Sequence, residues 1–288
     1  MSDVALLYMV FNRPDLTQRT FEFIREARIA RLYIAADGAR ANRPGEPEKV
    51  REVRKIVSEV DWDCEVRTLF REENLGCRQG VRTAIDWFFE HESEGIILED
   101  DLLPHPSFVP YCQELLGRYR HDHRIMSITG GNFQHGTERT EDSYYFSRYP
   151  LAWGWATWRR AWRLYDGDLA TWPKNGKQML LRDVAAGDDA FANFWLTRLD
   201  ACRSGRLNTW DFQWYYSCWI QHGLAIVPKA NLVSHLGGRL DGTHLKMRQK
   251  EIDCLPTFPI ATPLRHPQIV VRNVSADRYI EDEILKMR

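Results

Sequence analysis

Three consecutive acids, Glu99-Asp100-Asp101, follow the apolar run Gly95-Ile-Ile-Leu98 and have the clearest chemical potential in this sequence. Carboxylates this close repel one another unless a cation or hydrogen-bond donors compensate their charge. Mg²⁺ and Mn²⁺ prefer carboxylate oxygens and also bridge phosphate oxygens. The triplet therefore indicates a Mn²⁺ or Mg²⁺ site. The alternative is a solvated strand end whose acids cap the next helix.

Further polar groups follow or precede predicted elements in the first third of the chain. Asn12-Arg13 and Asp37-Gly38 each follow an apolar run, and Asn74 to Arg78 precedes a helical pattern. A carboxylate can accept hydrogen bonds from N–H and hydroxyl groups, and an arginine can donate charge-assisted hydrogen bonds to an anion. Backbone amides at a helix start can do the same. The alternatives are a turn at Asp37, loop chemistry at Arg13 and a helix cap at Asn74.

A single acid lies among aromatic residues in Thr209-Trp-Asp-Phe-Gln-Trp214, at the start of a helical pattern. Such a carboxylate suits a general base that takes the proton from an attacking hydroxyl group, which makes Asp211 the candidate base. The alternatives are that Asp211 caps its helix, or that Asp188-Asp189 supplies the base. His235 and His244 lie further on, in a glycine-rich stretch.

The elements that position these groups alternate between strand and helix. Apolar runs at 5–10, 31–36, 64–69 and 95–98 predict strands, with helical patterns between them. This order predicts βαβ units and an α/β fold with a mostly parallel sheet flanked by helices, whose ligands bind beyond the carboxyl ends of the strands. The polar clusters should then share one crevice. We expect one compact domain with two halves, one at 1–120 that contains these strand ends and a loop-rich one at 121–288.

Composition narrows the class of protein. The 288 residues carry 39 Lys+Arg against 40 Asp+Glu, so no overall field attracts nucleic acid. No apolar stretch approaches the roughly 18 residues of a membrane span, and the first residues lack the positive charge of a secretory signal. The six cysteines are scattered without a C-x-x-C pair. We expect a cytoplasmic enzyme without an integral membrane segment, at most peripheral on the inner membrane face.

A set of short motifs appears in a familiar order. These motifs are Val10-Phe-Asn-Arg13, Ala36-Asp37-Gly38, Ile96-Ile-Leu-Glu-Asp-Asp-Leu102, Leu151-Ala-Trp-Gly-Trp155, Trp210-Asp-Phe-Gln-Trp214 and Val233-Ser-His235. Together they resemble the GT-A fold nucleotide-sugar glycosyltransferases, in particular the N-acetylglucosaminyltransferase I family and related bacterial sugar transferases, with their DxD-type metal motif. The resemblance implies a Rossmann-like GT-A fold and an inverting hexosyl or N-acetylhexosaminyl transfer. The donor would be a UDP-sugar, bound by the half at 1–120. The acceptor would be a hydroxyl of a saccharide or glycoconjugate, bound by the acceptor-binding and catalytic half at 121–288.

The resemblance also implies roles for individual residues. Asp101 would ligate the metal directly, with His244 as a second candidate ligand, and Asp211 would be the base. Arg13 and Asp37 would contact the uracil and ribose side of the donor. Asp100 would face the ribose, and Gly154 would lie beneath the donor sugar. The full set of expected donor-binding residues is Asn12, Arg13, Asp37, Arg78, Glu99, Asp100, Gly154, Trp155 and His235. The alternative for the aromatic run around Gly154 is that its tryptophans are core residues.

Two other functions are alternatives to a glycosyltransferase for this sequence. A nucleotidyltransferase that makes sugar nucleotides also uses a Rossmann-like sheet and metal-binding acids, but it needs a glycine-rich, basic loop after the first strand. Phe11-Asn-Arg-Pro14 does not supply one. The second rival is a noncatalytic module that binds a sugar or a nucleotide sugar.

Overall fold

The computed structural model describes residues 2–237 and 252–287. Its strands are β1 (Ser2–Val10), β2 (Ile29–Ala36), β3 (Glu65–Phe70), β4 (Glu94–Glu99), β5 (Leu102–Pro104), β6 (Ile125–Thr129), β7 (Tyr144–Ser147), β8 (Trp155–Trp158), β9 (Leu224–Pro228) and β10 (Val233–His235). Its helices are α1 (Pro14–Glu26), α2 (Glu46–Ser58), α3 (Gly76–His91), α4 (Phe108–Tyr119), α5 (Arg159–Trp162), α6 (Lys177–Val184), α7 (Asp189–Arg203), α8 (Asp211–Ile220) and α9 (Val274–Tyr279), which a π-helical turn (Ile280–Ile284) follows.

Eight strands form the main sheet in the order β3-β2-β1-β4-β8-β6-β9-β7. The pairs β3–β2, β2–β1, β1–β4 and β6–β9 are parallel. Strand β8 runs antiparallel to both β4 and β6, and β7 runs antiparallel to β9. Within this eight-stranded sheet, all strands except β7 and β8 therefore point the same way. This confirms the predicted α/β fold with a mostly parallel sheet flanked by helices.

The central strand β1 is buried on both faces, which is why its sequence is continuously apolar and does not alternate. Leu6 and Tyr8 belong to the apolar core on one face of the sheet, whereas Leu7 and Met9 belong to the core on the other face. On the first face, α1 contributes Phe21 from its buried side. Helices thus cover both faces, and the carboxyl ends of the strands stay accessible.

A short second sheet lies beside the end of β4. Strand β10 pairs antiparallel with β5, so that His235 lies opposite Leu102. The backbone N–H of Leu236 donates to the carbonyl oxygen of Asp101 at 2.7 Å. The second sheet therefore brings a segment from late in the chain onto the acidic triplet.

The last described segment is attached through buried charges. Ser147 Oγ donates to the Asp277 carboxylate at 2.5 Å, and Arg148 Nη2 lies 3.3 Å from Glu281 Oε1. Tyr149 donates to the same Glu281 oxygen at 3.0 Å. Asp277 and Glu281 are each 1% exposed. Helix α9 and the π-helical turn are therefore docked on the core. Within the two described ranges, no helix has the length and apolar character that crossing a bilayer requires.

Candidate active site

A cavity of about 530 Å³ opens at the carboxyl ends of β1, β2 and β4. This position is where the strand order predicts a ligand site. Seven of the residues expected to act in the site line it, namely Arg13, Asp37, Glu99, Asp100, Asp101, Asp211 and His235. The fold therefore brings the polar strand ends and the later Asp211 and His235 into one cavity.

The acidic triplet occupies the turn that ends β4. Asp100 accepts a hydrogen bond from the backbone N–H of Phe11 at 3.2 Å, and its other oxygen lies 3.3 Å from Arg13 Nη2. The hydroxyl of Thr20, on α1, donates to the backbone oxygens of Asp100 and Leu102 at 3.2 and 3.0 Å. The turn is thus held from α1 and from the loop after β1, because both elements lie against the end of β4.

Asp101 has two cationic or potentially cationic neighbours on one oxygen. Arg13 Nη1 donates to Asp101 Oδ2 at 2.8 Å, and His235 Nε2 lies 3.4 Å from the same atom. Burial opposes ionisation of Asp101, but hydrogen bonds from His235 and Arg13 and their positive charges outweigh it and lower the pKa of this carboxyl group. Asp101 is therefore the acid of the triplet that ionises most readily.

The pKa values of the other two acids are raised, in contrast to that of Asp101. Burial and the negative charges of Asp101 and Asp100 raise the pKa of Glu99. Burial also raises the pKa of Asp100, although the charge of Arg13 partly opposes this. Arg13 and His235 together carry fewer positive charges than the three acids would carry if all were ionised. The arrangement would consequently favour an additional cation beside the triplet.

His235 is held in place from two sides. Its Nδ1 lies 2.7 Å from Asp253 Oδ1, and its ring stacks on Trp153 with centroids 4.6 Å apart and planes 13° apart. Burial lowers the pKa of His235, but hydrogen bonds and charge from Asp101 and Asp253 outweigh it, and the pKa is raised. These contacts aim Nε2 at Asp101.

Asp101 Oδ2 and His235 Nε2 are the side-chain atoms that could hold a divalent cation here, in place of the hydrogen bond between them. Ligands of one such ion lie about 3 Å from each other when metal–ligand distances are about 2.1 Å. The 3.4 Å between Asp101 Oδ2 and His235 Nε2 is compatible with this. The described residues contain no cluster of three acidic, histidine or cysteine side chains that could hold a metal. Two side chains would therefore share the ion with diphosphate and water, as Mg²⁺ sites commonly do. His244 lies outside the described residues.

Asp211 is the first residue of α8, and the N-cap position is taken by Trp210. The Thr209 hydroxyl donates to Asp211 Oδ1, and the backbone N–H of Phe212 donates to the same oxygen at 3.0 Å. Trp210 stacks on Trp155 at 5.8 Å, in the core beneath the main sheet. Phe212 packs on the aromatic core of the second half. Asp211 therefore lies where two apolar cores meet at the cavity.

The second candidate for the base has a structural role. Asp188 caps α7 by accepting from the backbone N–H of Phe191 at 3.1 Å, and it pairs with Arg278 at 3.0 Å. Neither Asp188 nor Asp189 lines the cavity.

Asp37 lines the cavity but is also bound by the start of α3. Its carboxylate accepts from Asn74 Nδ2 at 3.0 Å and from the backbone N–H groups of Leu75 and Gly76 at 3.0 and 3.1 Å. Asn74 thus supports Asp37 and does not cap α3 by itself. A Cβ atom on Gly38 would collide with the backbone oxygen of Glu72, so only glycine fits beside this loop. A role of Asp37 in donor binding stays a prediction.

Four of the expected donor-binding residues do not line the cavity. Asn12 donates to Glu46 at 2.9 Å, and Arg78 lies 3.2 Å from Asp168. Gly154 lies against β10, where an added Cβ would be 2.7 Å from Val233 Cγ2. Trp155 is 1% exposed and begins β8. Within Leu151–Trp155, Trp153 lines the cavity and Trp155 is a core residue.

The cavity is also lined by residues that the sequence motifs did not predict. Arg71 directly follows β3 and donates to Thr83 at 2.7 Å, and burial lowers its pKa although Asp37 opposes this. The strand-end rule that selected Arg13 would also have selected Arg71. Arg40 lies 5.4 Å over the Phe11 ring, and both residues line the cavity. Nothing local in the sequence marks this pair, because the two residues meet only after folding.

Comparisons with known proteins add little to this geometry. No protein-family model and no curated protein matches the chain. Among solved structures, the apo form of mouse xyloside xylosyltransferase 1 is similar, with a TM-score of 0.37 and 11% sequence identity. The match covers 76% of this chain and 82% of that chain. A likeness at this level carries no argument about activity. The resemblance to the N-acetylglucosaminyltransferase I family gains no support from it and stays a prediction.

Proposed function

We propose that the protein is a glycosyltransferase that moves a sugar from a UDP-sugar to a hydroxyl group of a saccharide or glycoconjugate acceptor. The observation that supports this most is that a single cavity contains both the acidic triplet at the end of β4 and the separate carboxylate of Asp211. A transfer of this kind needs two sets of groups. One must bind an anionic diphosphate, and the other must remove a proton from the acceptor.

The donor binds at the end of the cavity formed by the strand ends. Arg13 and Arg71 lie there, and arginine donors suit phosphate oxygens. A Mn²⁺ or Mg²⁺ ion held by Asp101 and His235 would neutralise charge on the diphosphate leaving group. Asp253 and Trp153 keep His235 in the orientation that this role requires. Phe11 presents an aromatic ring to the same end.

The transfer is a direct displacement in which Asp211 is the base. The acceptor oxygen attacks the anomeric carbon and forms the new glycosidic bond. The bond between that carbon and the diphosphate oxygen breaks, and UDP departs with the bonding electrons. The acceptor proton passes to the Asp211 carboxylate, which Thr209 and the Phe212 amide hold in place. One displacement inverts the configuration at the anomeric carbon.

The test combines binding and turnover. UDP-glucose, UDP-galactose and UDP-N-acetylglucosamine are incubated with the protein, with and without Mn²⁺ and a mixture of simple glycosides, and UDP release and glycoside products are measured. Binding of UDP is followed separately by the rise in melting temperature. Mn²⁺-dependent release of UDP with a new glycoside supports the proposal. Binding without any turnover would instead identify a noncatalytic module.

Asp101→Asn tests the metal role directly. Removing a charged partner of this kind weakens binding by about 1.5 to 3 kcal/mol, so UDP affinity in Mn²⁺ should fall by about 10- to 100-fold. Titration calorimetry of UDP plus Mn²⁺ measures this. Asp61→Asn is the matched control, because Asp61 lies on the surface, where it pairs with Arg25 at 3.0 Å. Equal UDP affinity in Asp101→Asn and wild type would contradict the assignment.

A further inference from the structure

The cavity has two ends of different chemistry. The end formed by the carboxyl termini of the strands contains the charged side chains described above. The other end is lined by residues of one aromatic and aliphatic cluster, including Phe133, Leu151, Phe212, Tyr215, Ile280 and Ile284. Asp211 lies between them, because its neighbours Trp210 and Phe212 belong to different cores. We call the cavity wall formed by the six aromatic and aliphatic residues the apolar end.

Two hydroxyl groups near the apolar end, those of Tyr149 and Thr209, are directed to protein partners. Tyr149 lines the cavity, but its hydroxyl donates to Glu281 at 3.0 Å. The Thr209 hydroxyl donates to Asp211. A polyhydroxylated sugar ring placed against this wall would leave several of its hydroxyl groups without partners, which is unfavourable. An apolar group would bury its surface there at no such cost.

The wall is anchored and not a loose surface. Ile280 and Ile284 come from the π-helical turn, and Glu281 of the same turn is paired with Arg148 and Tyr149 in the interior. Asp277, one turn earlier, accepts from Ser147 at 2.5 Å. Because buried polar contacts hold the backbone, the isoleucine side chains have a defined position at the cavity.

We propose that the apolar end binds an apolar aglycone of the acceptor, so that the acceptor is amphipathic. Its hydroxylated head lies at Asp211, and its alkyl or aryl group lies against Ile280, Ile284 and the aromatic residues of the wall. This assignment rests on the proposed glycosyltransferase function, since it names the acceptor class for the same cavity. It also explains why a site that handles a hydrophilic donor has a wall without charged side chains on one side of the base.

The experiment compares two ligands that share one head group. Methyl β-D-glucoside and octyl β-D-glucoside, the latter below its micellar concentration, are titrated into protein saturated with UDP and Mn²⁺. Octyl glucoside should bind at least about tenfold more tightly, the effect of burying about two methylene groups. The outcome that overturns the proposal is equal affinity, or no detectable binding of either glucoside.

Variants locate the effect. Ile284→Asp places a charge on the wall and Ile284→Trp fills the space, so both should abolish the octyl preference, measured again in protein saturated with UDP and Mn²⁺. Ile269→Asp is the control, because Ile269 is 69% exposed and does not line the cavity. Ile284→Trp keeps an apolar side chain and serves if the aspartate variant does not fold. A preference that survives in both Ile284 variants would overturn the assignment.

Failure of this inference is separable from failure of the proposed function. UDP binding and UDP-sugar turnover without an octyl preference would reject the apolar acceptor and retain the glycosyltransferase. Absence of UDP binding and turnover would reject the glycosyltransferase itself, and with it this inference.

Discussion

The two ends of the cavity are built in different ways. At the donor end, polar residues follow β1, β2, β3 and β4 directly, and the geometry of a parallel sheet places them side by side. At the apolar end, the wall combines residues from α8, from the segment before β8 and from the π-helical turn. The donor end therefore depends on local strand boundaries, whereas the apolar end depends on contacts between distant segments. Substitutions at the two ends should therefore affect different properties of the protein, such as turnover, ligand affinity or stability.

The largest expected effect is at the junction between the ends. Asp211→Asn keeps the shape of the side chain but removes the base, and general-base catalysis contributes about 10²- to 10⁴-fold. We expect kcat to fall by about that factor with little change in UDP-sugar affinity. Steady-state kinetics and the melting temperature of the variant decide this. Near-normal turnover would show that Asp211 belongs to the framework and not to the chemistry.

The next effect concerns the anchoring of the apolar end. Arg148→Ala leaves Asp277 and Glu281 buried without this partner, and breaking a buried ion pair costs about 3 to 5 kcal/mol. Urea unfolding measures the loss in the free energy of unfolding. The surface variant Arg25→Ala is the control and should cost about 1 kcal/mol or less. Similar losses in the two variants would mean that the C-terminal segment is not held by its buried charges.

A smaller effect tests the core beneath the cavity. Gly154 has φ of +61°, and its position against Val233 leaves no room for a Cβ atom. Gly154→Ala should lower the free energy of unfolding by about 1 to 3 kcal/mol through overpacking and backbone strain, with UDP-sugar affinity unchanged. Chemical unfolding measures the free energy of unfolding, and titration calorimetry measures the affinity for the UDP-sugar. If UDP-sugar binding falls while UDP binding and stability remain, Gly154 contacts the donor sugar as the family resemblance implies.

Several features follow from local sequence patterns. The alternation of apolar runs and helical patterns indicated the α/β sheet, and the predicted strand at 95–98 corresponds to β4, with Glu99 as its last residue. Arg13, Asp37 and the acidic triplet meet at one cavity because each follows a parallel strand. Arg71 lines the same cavity for the same reason, because it directly follows the parallel strand β3. The proposed roles of these residues depend on ligands and remain predictions.

Other features have no local signal. Within Leu151-Ala-Trp-Gly-Trp155, the sequence does not tell which tryptophan faces the cavity. The structure places Trp153 on His235, and it buries Trp155 against Trp210. Arg78 was expected at a diphosphate, but its guanidinium group donates to backbone oxygens of Gly167 and Cys202. These partners are more than 80 residues away in the chain, so no helix or strand period predicts them.

The sequence by itself determined the order of elements, the burial of the central strand and the presence of an acidic triplet at a strand end. These features depend on side-chain periods and apolar runs, which act over a few residues. Only the tertiary structure decided that His235 and Asp253 meet Asp101, that Trp155 is core, and that the π-helical turn closes the apolar end. The physical reason is that such contacts join distant segments, and their geometry exists only when the sheets, helices and buried charges are in place together.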